Sequence, residues 1–303
     1  MKVLLTGASS SPGYRTLLEL AERSYTVYAV YNRHPISLKR GSVSIIKLDL
    51  TEYSRVIDFV REVKPNIVIH MAAYGDVEGC ELNKQYAWNV NVEATRVLAK
   101  ISRKINASRF IYLSTDYVFD GMRGLYREDD IPIPINFYGL TKFIAEEIVK
   151  SIIDRWVIVR TSAIYGFGMG RINFGKFLIE ALSKGQKVRA LIDQYLSPTL
   201  NTLLAKAIVE IVERDDINGI LHVAGERISR YDFAMKIAKK FGFDQRLIEP
   251  ITMDKMKWKA KRPRDSSLDC SRAKSLLRTN FHSLDYSLEV FYREYTRLRG
   301  VGK

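Results

Sequence analysis

The sequence predicts a doubly wound α/β fold, a parallel sheet covered by helices on both faces, with a smaller C-terminal lobe. Three observations predict it. Up to about residue 165, short Val- and Ile-rich runs alternate with amphipathic helical patterns, as in successive βαβ units. A glycine-containing turn, Thr6-Gly7-Ala8-Ser9-Ser10-Ser11-Pro12-Gly13, joins the first run to the first helix. Beyond residue 165 the alternation loosens, yet no Gly/Ser/Pro-rich linker separates the two halves.

Each element follows from its local pattern. Lys2–Leu5 is apolar and runs directly into the glycine turn without a leader-type cleavage pattern, so it reads as a buried strand. Thr26–Tyr31, Val43–Leu48, Ile67–His70, Arg109–Leu113 and Val157–Val159 are the further strands. Most are rich in Val and Ile, as strands buried on both faces are. Helical patterns at Pro12–Arg23, Tyr53–Val63, Asn83–Ile105 and Tyr138–Ile153 lie between them. Later, helices at Asn173–Ser183, Asn201–Arg214 and Ser229–Phe241 alternate with strand-like pieces such as Ile220–Val223. The expected organisation is a dinucleotide-binding Rossmann domain over 1–165 and a smaller substrate-binding lobe over 166–303, interleaved with the first. Ligands then sit between the two, at the carboxyl ends of the strands.

Composition narrows the function. A chain of 303 residues with 47% hydrophobic content can bury a large core. No apolar run is long enough to span a bilayer, so no membrane role is expected. Cys80 and Cys270 are the only cysteines and lie far apart, which gives no disulfide framework and no clustered metal site. A reducing cytoplasm is the expected compartment. The net charge of +14 attracts anions. Its densest basic run, Lys255-Met256-Lys257-Trp258-Lys259-Ala260-Lys261-Arg262-Pro263-Arg264, suits either a solvated loop or an anion contact. No RNA or DNA motif accompanies it, so nucleic acid is not expected as a partner.

The turn after the first strand lets backbone N–H groups approach a pyrophosphate at a helix N-terminus, with Gly7, Ser9, Ser10, Ser11 and Gly13 as the cofactor contacts. Ser10 stands where the middle glycine of such turns usually lies. Strand two ends in Asn32-Arg33-His34, with no carboxylate for a ribose 2′-hydroxyl. Arg33 suits a 2′-phosphate instead, so NADP(H) is preferred and NAD(H) is the second option. Asp49 and Leu50, after strand three, are placed to meet the adenine. Ala72 and Ala73, after strand four, are small enough for the backbone to pass close to the cofactor.

Tyr138 and Lys142 lie four residues apart, on one face of a helix. An ammonium beside a phenol favours the phenolate, which would lower the tyrosine pKa and make it a proton donor and acceptor. The pair gains weight from its surroundings. Ser114-Thr115-Asp116-Tyr117-Val118-Phe119-Asp120-Gly121 leads through Tyr126–Pro132 into Asn136-Phe137-Tyr138-Gly139-Leu140-Thr141-Lys142. Arg160-Thr161-Ser162, Asn173-Phe174, Asp193-Gln194, Ser197-Pro198-Thr199 and Arg262-Pro263-Arg264-Asp265-Ser266-Ser267-Leu268-Asp269 follow. Nearly end to end, this succession resembles the extended short-chain dehydrogenase/reductase family, in its dTDP-4-dehydrorhamnose reductase branch.

The resemblance implies Thr115, Tyr138 and Lys142 as catalytic residues, with Tyr138 and Lys142 also touching the cofactor. It implies NADPH-dependent reduction of the C4 carbonyl of a nucleotide-linked 4-keto-6-deoxy sugar. In that reading Tyr138 protonates O4, Thr115 donates a hydrogen bond to it, and Lys142 holds the nicotinamide ribose. Asp116, Asn173 and Arg262 are the substrate contacts, Arg262 toward the diphosphate, although Asn173 also fits a helix cap. No metal is expected in the reaction, and a homodimer is compatible with the branch. Two departures bear on the sugar: Ala163 stands where the branch often has Trp, and Leu196 where Gly often precedes Ser-Pro-Thr. The chain resembles the regulatory β subunit of methionine adenosyltransferase as well, which would make it a non-catalytic NADP-binding partner of that enzyme's catalytic subunit. A nucleotide-sugar epimerase of the same family is the third reading. A dehydratase fits less, because Tyr117 stands where its second acid would be.

Overall fold

The computed structural model describes residues 1–300. Along the chain come β1 (Lys2–Thr6), α1 (Ser11–Ala21), β2 (Thr26–Tyr31), β3 (Val43–Lys47), α2 (Tyr53–Val63) and β4 (Ile67–His70). Next are α3 (Val77–Leu82), α4 (Lys84–Trp88), a π-helical turn (Asn89–Glu93), α5 (Ala94–Lys104), β5 (Arg109–Thr115), α6 (Phe137–Ile152) and β6 (Trp156–Tyr165). The remainder comprises α7 (Phe174–Leu182), β7 (Val188–Leu191), β8 (Tyr195–Leu196), β9 (Pro198–Leu200), α8 (Asn201–Val212) and β10 (Gly219–His222). It ends with β11 (Ile228–Ser229), α9 (Arg230–Phe241), β12 (Ile248–Ile251), α10 (Ser271–Leu276) and α11 (Leu284–Leu298).

The main sheet has the order β10-β6-β5-β4-β1-β2-β3, and its pairings are all parallel. Strands β1, β4 and β5 are buried along nearly their whole length, which explains their unbroken apolar runs. Strand order reverses between β1 and β4, where Thr6 stands opposite His70. A crevice opens at such a point, beyond the carboxyl ends of the two strands. The turns carrying Gly7–Gly13 and Ala72–Asp76 flank it.

The chain crosses the residue-165 line in space. Helix α8 lies against α1, and β10 extends the main sheet beside β6. Leu17 and Leu20 of α1 share one core with Leu203, Leu204 and Ile208 of α8. Strand β6 continues past the sheet and pairs with β9 across a register shift at Ser162/Ile164. Ala163 sits in that irregularity with φ +41°, a left-handed conformation uncommon outside glycine.

One sequence expectation changes in kind. The pattern over Asn83–Ile105 is not a single α-helix. It is α4, a π turn and α5, with Asn83 capping the first piece through the backbone N–H of Tyr86. Among the described residues, no helix is long and apolar enough to cross a membrane.

Candidate functional site

Local structure builds the cofactor end first. Gly7 has φ +69°, and a Cβ there would lie 2.6 Å from the Ala72 nitrogen. A Cβ on Gly13 would meet the Gly7 oxygen at 2.1 Å. Both glycines are therefore required by close backbone approach. Ser10, in the middle-glycine position, is the N-cap of α1: its hydroxyl accepts from the Gly13 N–H at 3.1 Å. Ser9 is buried, and the Ser11 hydroxyl accepts from Asn201 at 2.8 Å. At the end of β2, Arg33 is exposed and donates to the Tyr86 hydroxyl, while Asn32 donates to Asp49. Leu50 is buried in the core, Ala72 is half-buried and Ala73 is exposed.

The catalytic candidates converge from two elements. Thr115 ends β5, and Tyr138 sits in the first turn of α6. Asn136 caps that helix by accepting from the Gly139 N–H at 2.8 Å. A Cβ on Gly139 would lie 2.0 Å from the Tyr117 oxygen, so this glycine lets the helix N-terminus press against the turn after Thr115. That contact brings the phenol of Tyr138 to the Thr115 hydroxyl. Both line a cavity of about 210 Å³ with Asp116, Tyr117, Ala163 and Arg230.

Lys142 is buried one turn further along α6. Its ammonium donates to the Leu113 oxygen at 2.8 Å and lies 4.0 Å from the centre of the Tyr112 ring. Burial lowers its pKa to about 7, against a smaller upward pull from Glu146. Tyr138 shifts the other way from the sequence expectation. Burial holds its pKa above the usual phenol value, and the Thr115 hydroxyl only partly offsets this. The spacing does place the two side chains on one helix face, but the ammonium turns to a backbone carbonyl of β5 instead of the phenol.

The three substrate candidates meet different fates. Asp116 is buried and lines the cavity, but hydroxyls surround its carboxylate: Thr115 at 3.0 Å, Ser162 at 2.8 Å and Ser266 at 2.5 Å. Burial pushes its pKa up, and these donors pull it back. Asn173 caps α7 and clasps Gly166 through both ends of its amide. Arg262 stands apart from the cavity lining, paired with Glu78 at 2.9 Å between the Tyr117 and Trp258 rings.

Sequence reasoning missed Arg230, the cationic side chain of the cavity wall. Its Nε donates to Gln194 at 2.5 Å, and burial lowers its pKa. A signal existed. Ser229 caps α9 through the Asp232 N–H, which puts Arg230 at the first helical position, where a cation opposes the helix dipole. A larger hollow of about 590 Å³ lies elsewhere, beside Arg123, Arg127 and Arg227. Those arginines are already paired with Asp130, Asp269 and Asp265. Among the described residues, no three His, Cys, Asp or Glu side chains group as a metal cage.

Comparison with known proteins extends this geometry. The sequence model of the RmlD substrate binding domain matches residues 1–297. A solved structure described as a hypothetical dTDP-4-dehydrorhamnose reductase from Sulfolobus tokodaii is 40% identical, covering 95% of this chain and 98% of its own, with a TM-score of 0.84. The dTDP-4-dehydrorhamnose reductase of Bacillus anthracis, solved in complex with NADP, is 30% identical over 97% of this chain and 99% of its own, with a TM-score of 0.85. The β subunit of methionine adenosyltransferase 2 from Xenopus laevis is 29% identical over 91% of this chain and 82% of its own.

Proposed function

Because the chain belongs to the RmlD substrate binding domain family, we propose that it is an NADPH-dependent oxidoreductase that reduces the C4 carbonyl of a nucleotide-linked 4-keto-6-deoxy sugar. The substrate favoured is dTDP-4-dehydro-L-rhamnose, giving dTDP-L-rhamnose. The observation that carries the reading is the meeting of Thr115 and Tyr138 in one cavity, with Lys142 fixed behind them.

The residues present fit a dinucleotide. Gly7 and Gly13 allow the tight turn after β1 that packs against Ala72, at the strand-order reversal where such ligands bind. Arg33, free of any carboxylate neighbour within salt-bridge distance among the described residues, suits a 2′-phosphate. A bound reduced nicotinamide would supply the hydride. Tyr138 gives its proton to O4 as the carbonyl electron pair moves there, and the phenolate regains a proton from solvent. Lys142, held at Leu113, stands one turn along α6 from Tyr138. The part of the chain over 166–303, interleaved with the first, supplies the sugar side through Arg230, Gln194 and Ser266.

The test is NADPH and NADH oxidation by purified protein over a small panel of 4-keto nucleotide-sugars. NADPH is expected to be consumed faster than NADH with the dTDP sugar. Tyr138→Phe is expected to lower kcat by roughly 10²- to 10⁴-fold, the usual worth of a positioned acid. An unchanged rate in that variant would refute the mechanism. A second reading, a regulatory NADP-binding subunit, is favoured by Ala163 and by the likeness to the methionine adenosyltransferase β subunit. NADP binding without turnover of any sugar, together with co-purification of a catalytic partner, would select it.

A further inference from the structure

The turn after β1 offers an anion fewer backbone donors than a helix end normally does. Ser10 caps α1, so Ser11, Pro12 and Gly13 are the first residues of that helix. The N–H groups of a first turn have no partner inside the helix, and they are what a helix end presents to an anion. Here they are depleted. Pro12 has no N–H. The Gly13 N–H goes to the Ser10 hydroxyl at 3.1 Å, and the Ser10 N–H goes to the Gly7 oxygen at 2.9 Å. Among the described residues, only the Ser11 N–H of this turn is left without an acceptor. The charged oxygens of a pyrophosphate would then face a single backbone donor of α1.

The Ser11 side chain can make good the loss. Asn201, buried at the start of α8, donates through Nδ2 to the Phe167 oxygen at 2.9 Å and to the Ser11 hydroxyl at 2.8 Å. A carbonyl oxygen only accepts, so the amide nitrogen must be the atom facing Phe167, and the same nitrogen meets Ser11. The Ser11 oxygen therefore accepts, and its own proton stays free. Among the described residues no acceptor takes that proton. We infer that the Ser11 hydroxyl donates to the cofactor pyrophosphate in place of the N–H that Pro12 lacks, and that Asn201 is the positioning residue that holds its proton toward the ligand. A residue from the far half of the chain thereby sets a donor of the cofactor turn. The role depends on the dinucleotide of the proposed function and not on the sugar.

The test is NADPH binding, followed by nicotinamide fluorescence on titration of the purified protein. Ser11→Ala is expected to raise Kd by about tenfold or more, the usual worth of a hydrogen bond to a charged group. Adding Pro12→Ala to that variant puts an N–H back into the turn and is expected to recover most of the loss. Asn201→Ala is expected to weaken binding by about three- to tenfold alone and to add nothing in the Ser11→Ala background, because its effect runs through that hydroxyl. Adenosine 2′-monophosphate, which has no pyrophosphate, is expected to bind every variant alike. A Kd for NADPH within about twofold of wild type in Ser11→Ala would overturn the contact. So would a parallel loss of adenosine 2′-monophosphate, which would mean damage to the turn at large, or no recovery with Pro12→Ala. An equal loss from Asn201→Ala with and without Ser11 would refute the positioning role. Should Asn201→Ala fail to fold, Ser11→Ala and its Pro12 rescue decide alone. If the wild type binds no dinucleotide, the cofactor reading falls and the contact with it; binding that Ser11→Ala leaves intact removes the contact alone.

Discussion

Lys142 shows how burial can change a side chain that a sequence motif already identifies. Its pKa falls to about 7 because the ammonium is buried. In the unfolded chain it returns to the ordinary lysine range, about 10.4. Between these values the unfolded state binds more protons than the native one, so this group makes stability rise with pH. The contribution is complete above the unfolded value and is lost as pH falls through about 7. Wild type measured against Lys142→Met by urea unfolding should therefore gain relative stability from pH 7 to pH 10. A constant difference across that range would show that Lys142 stays charged in the native state. The identities of Thr115, Tyr138 and Lys142 are legible in the sequence because they lie in one unbroken stretch of motifs. The protonation of Lys142 is not, because burial sets it, and that burial comes from β5, whose Leu113 oxygen and Tyr112 ring pack on the ammonium. Arg230 and Ser266 were missed for a related reason: each reaches the cavity from a distant part of the chain, and the one local signal is the place of Arg230 at the first position of α9, against the helix dipole.

At the scale of elements, strands β2 and β4 and helix α2 end where local patterns put them. The interrupted helix over residues 84–104 does not follow its pattern. Hydrophobic periodicity cannot register one extra residue per turn, which is all that a π turn adds. That turn has an identifiable task. It carries Asn91, which is buried, accepts from the Tyr74 N–H at 2.7 Å and donates to the Thr141 hydroxyl at 3.0 Å. Asn91 thereby ties the segment after β4 to α6, one residue from Lys142. Asn91→Ala should destabilise the protein by about 1–3 kcal/mol, since it strands buried polar partners. Urea midpoints would check this, and a loss below about 0.5 kcal/mol would mean that water replaces the amide without cost. The short strands β7, β8, β9, β11 and β12 escape pattern reading because two to four residues carry too little periodicity to separate from loop.

Over the whole molecule, the division near residue 165 is a boundary in sequence and not in space. Arg15 of α1 bonds the Phe167 oxygen at 2.9 Å and Glu294 of α11 at 2.8 Å, and Asn201 of α8 bonds Ser11. A fragment of residues 1–165 would expose the face of α1 that α8 covers and leave β6 as an unpaired edge. It should show no cooperative unfolding transition and should self-associate, which circular dichroism melts and gel filtration would test. A monomeric fragment with a sharp melt would show that the first part folds alone. The interleaving also limits how the choice of ligand at this cavity can change. No cassette can be lifted out and replaced, because the elements that carry the cavity wall also carry the core: α9 bears Arg230 on the wall and Phe233, Ala234 and Ile237 in the core. New specificity has to arrive by single substitutions on the cavity wall, at places such as Ala163, Leu196 and Arg230, each accepted only if the common core survives it.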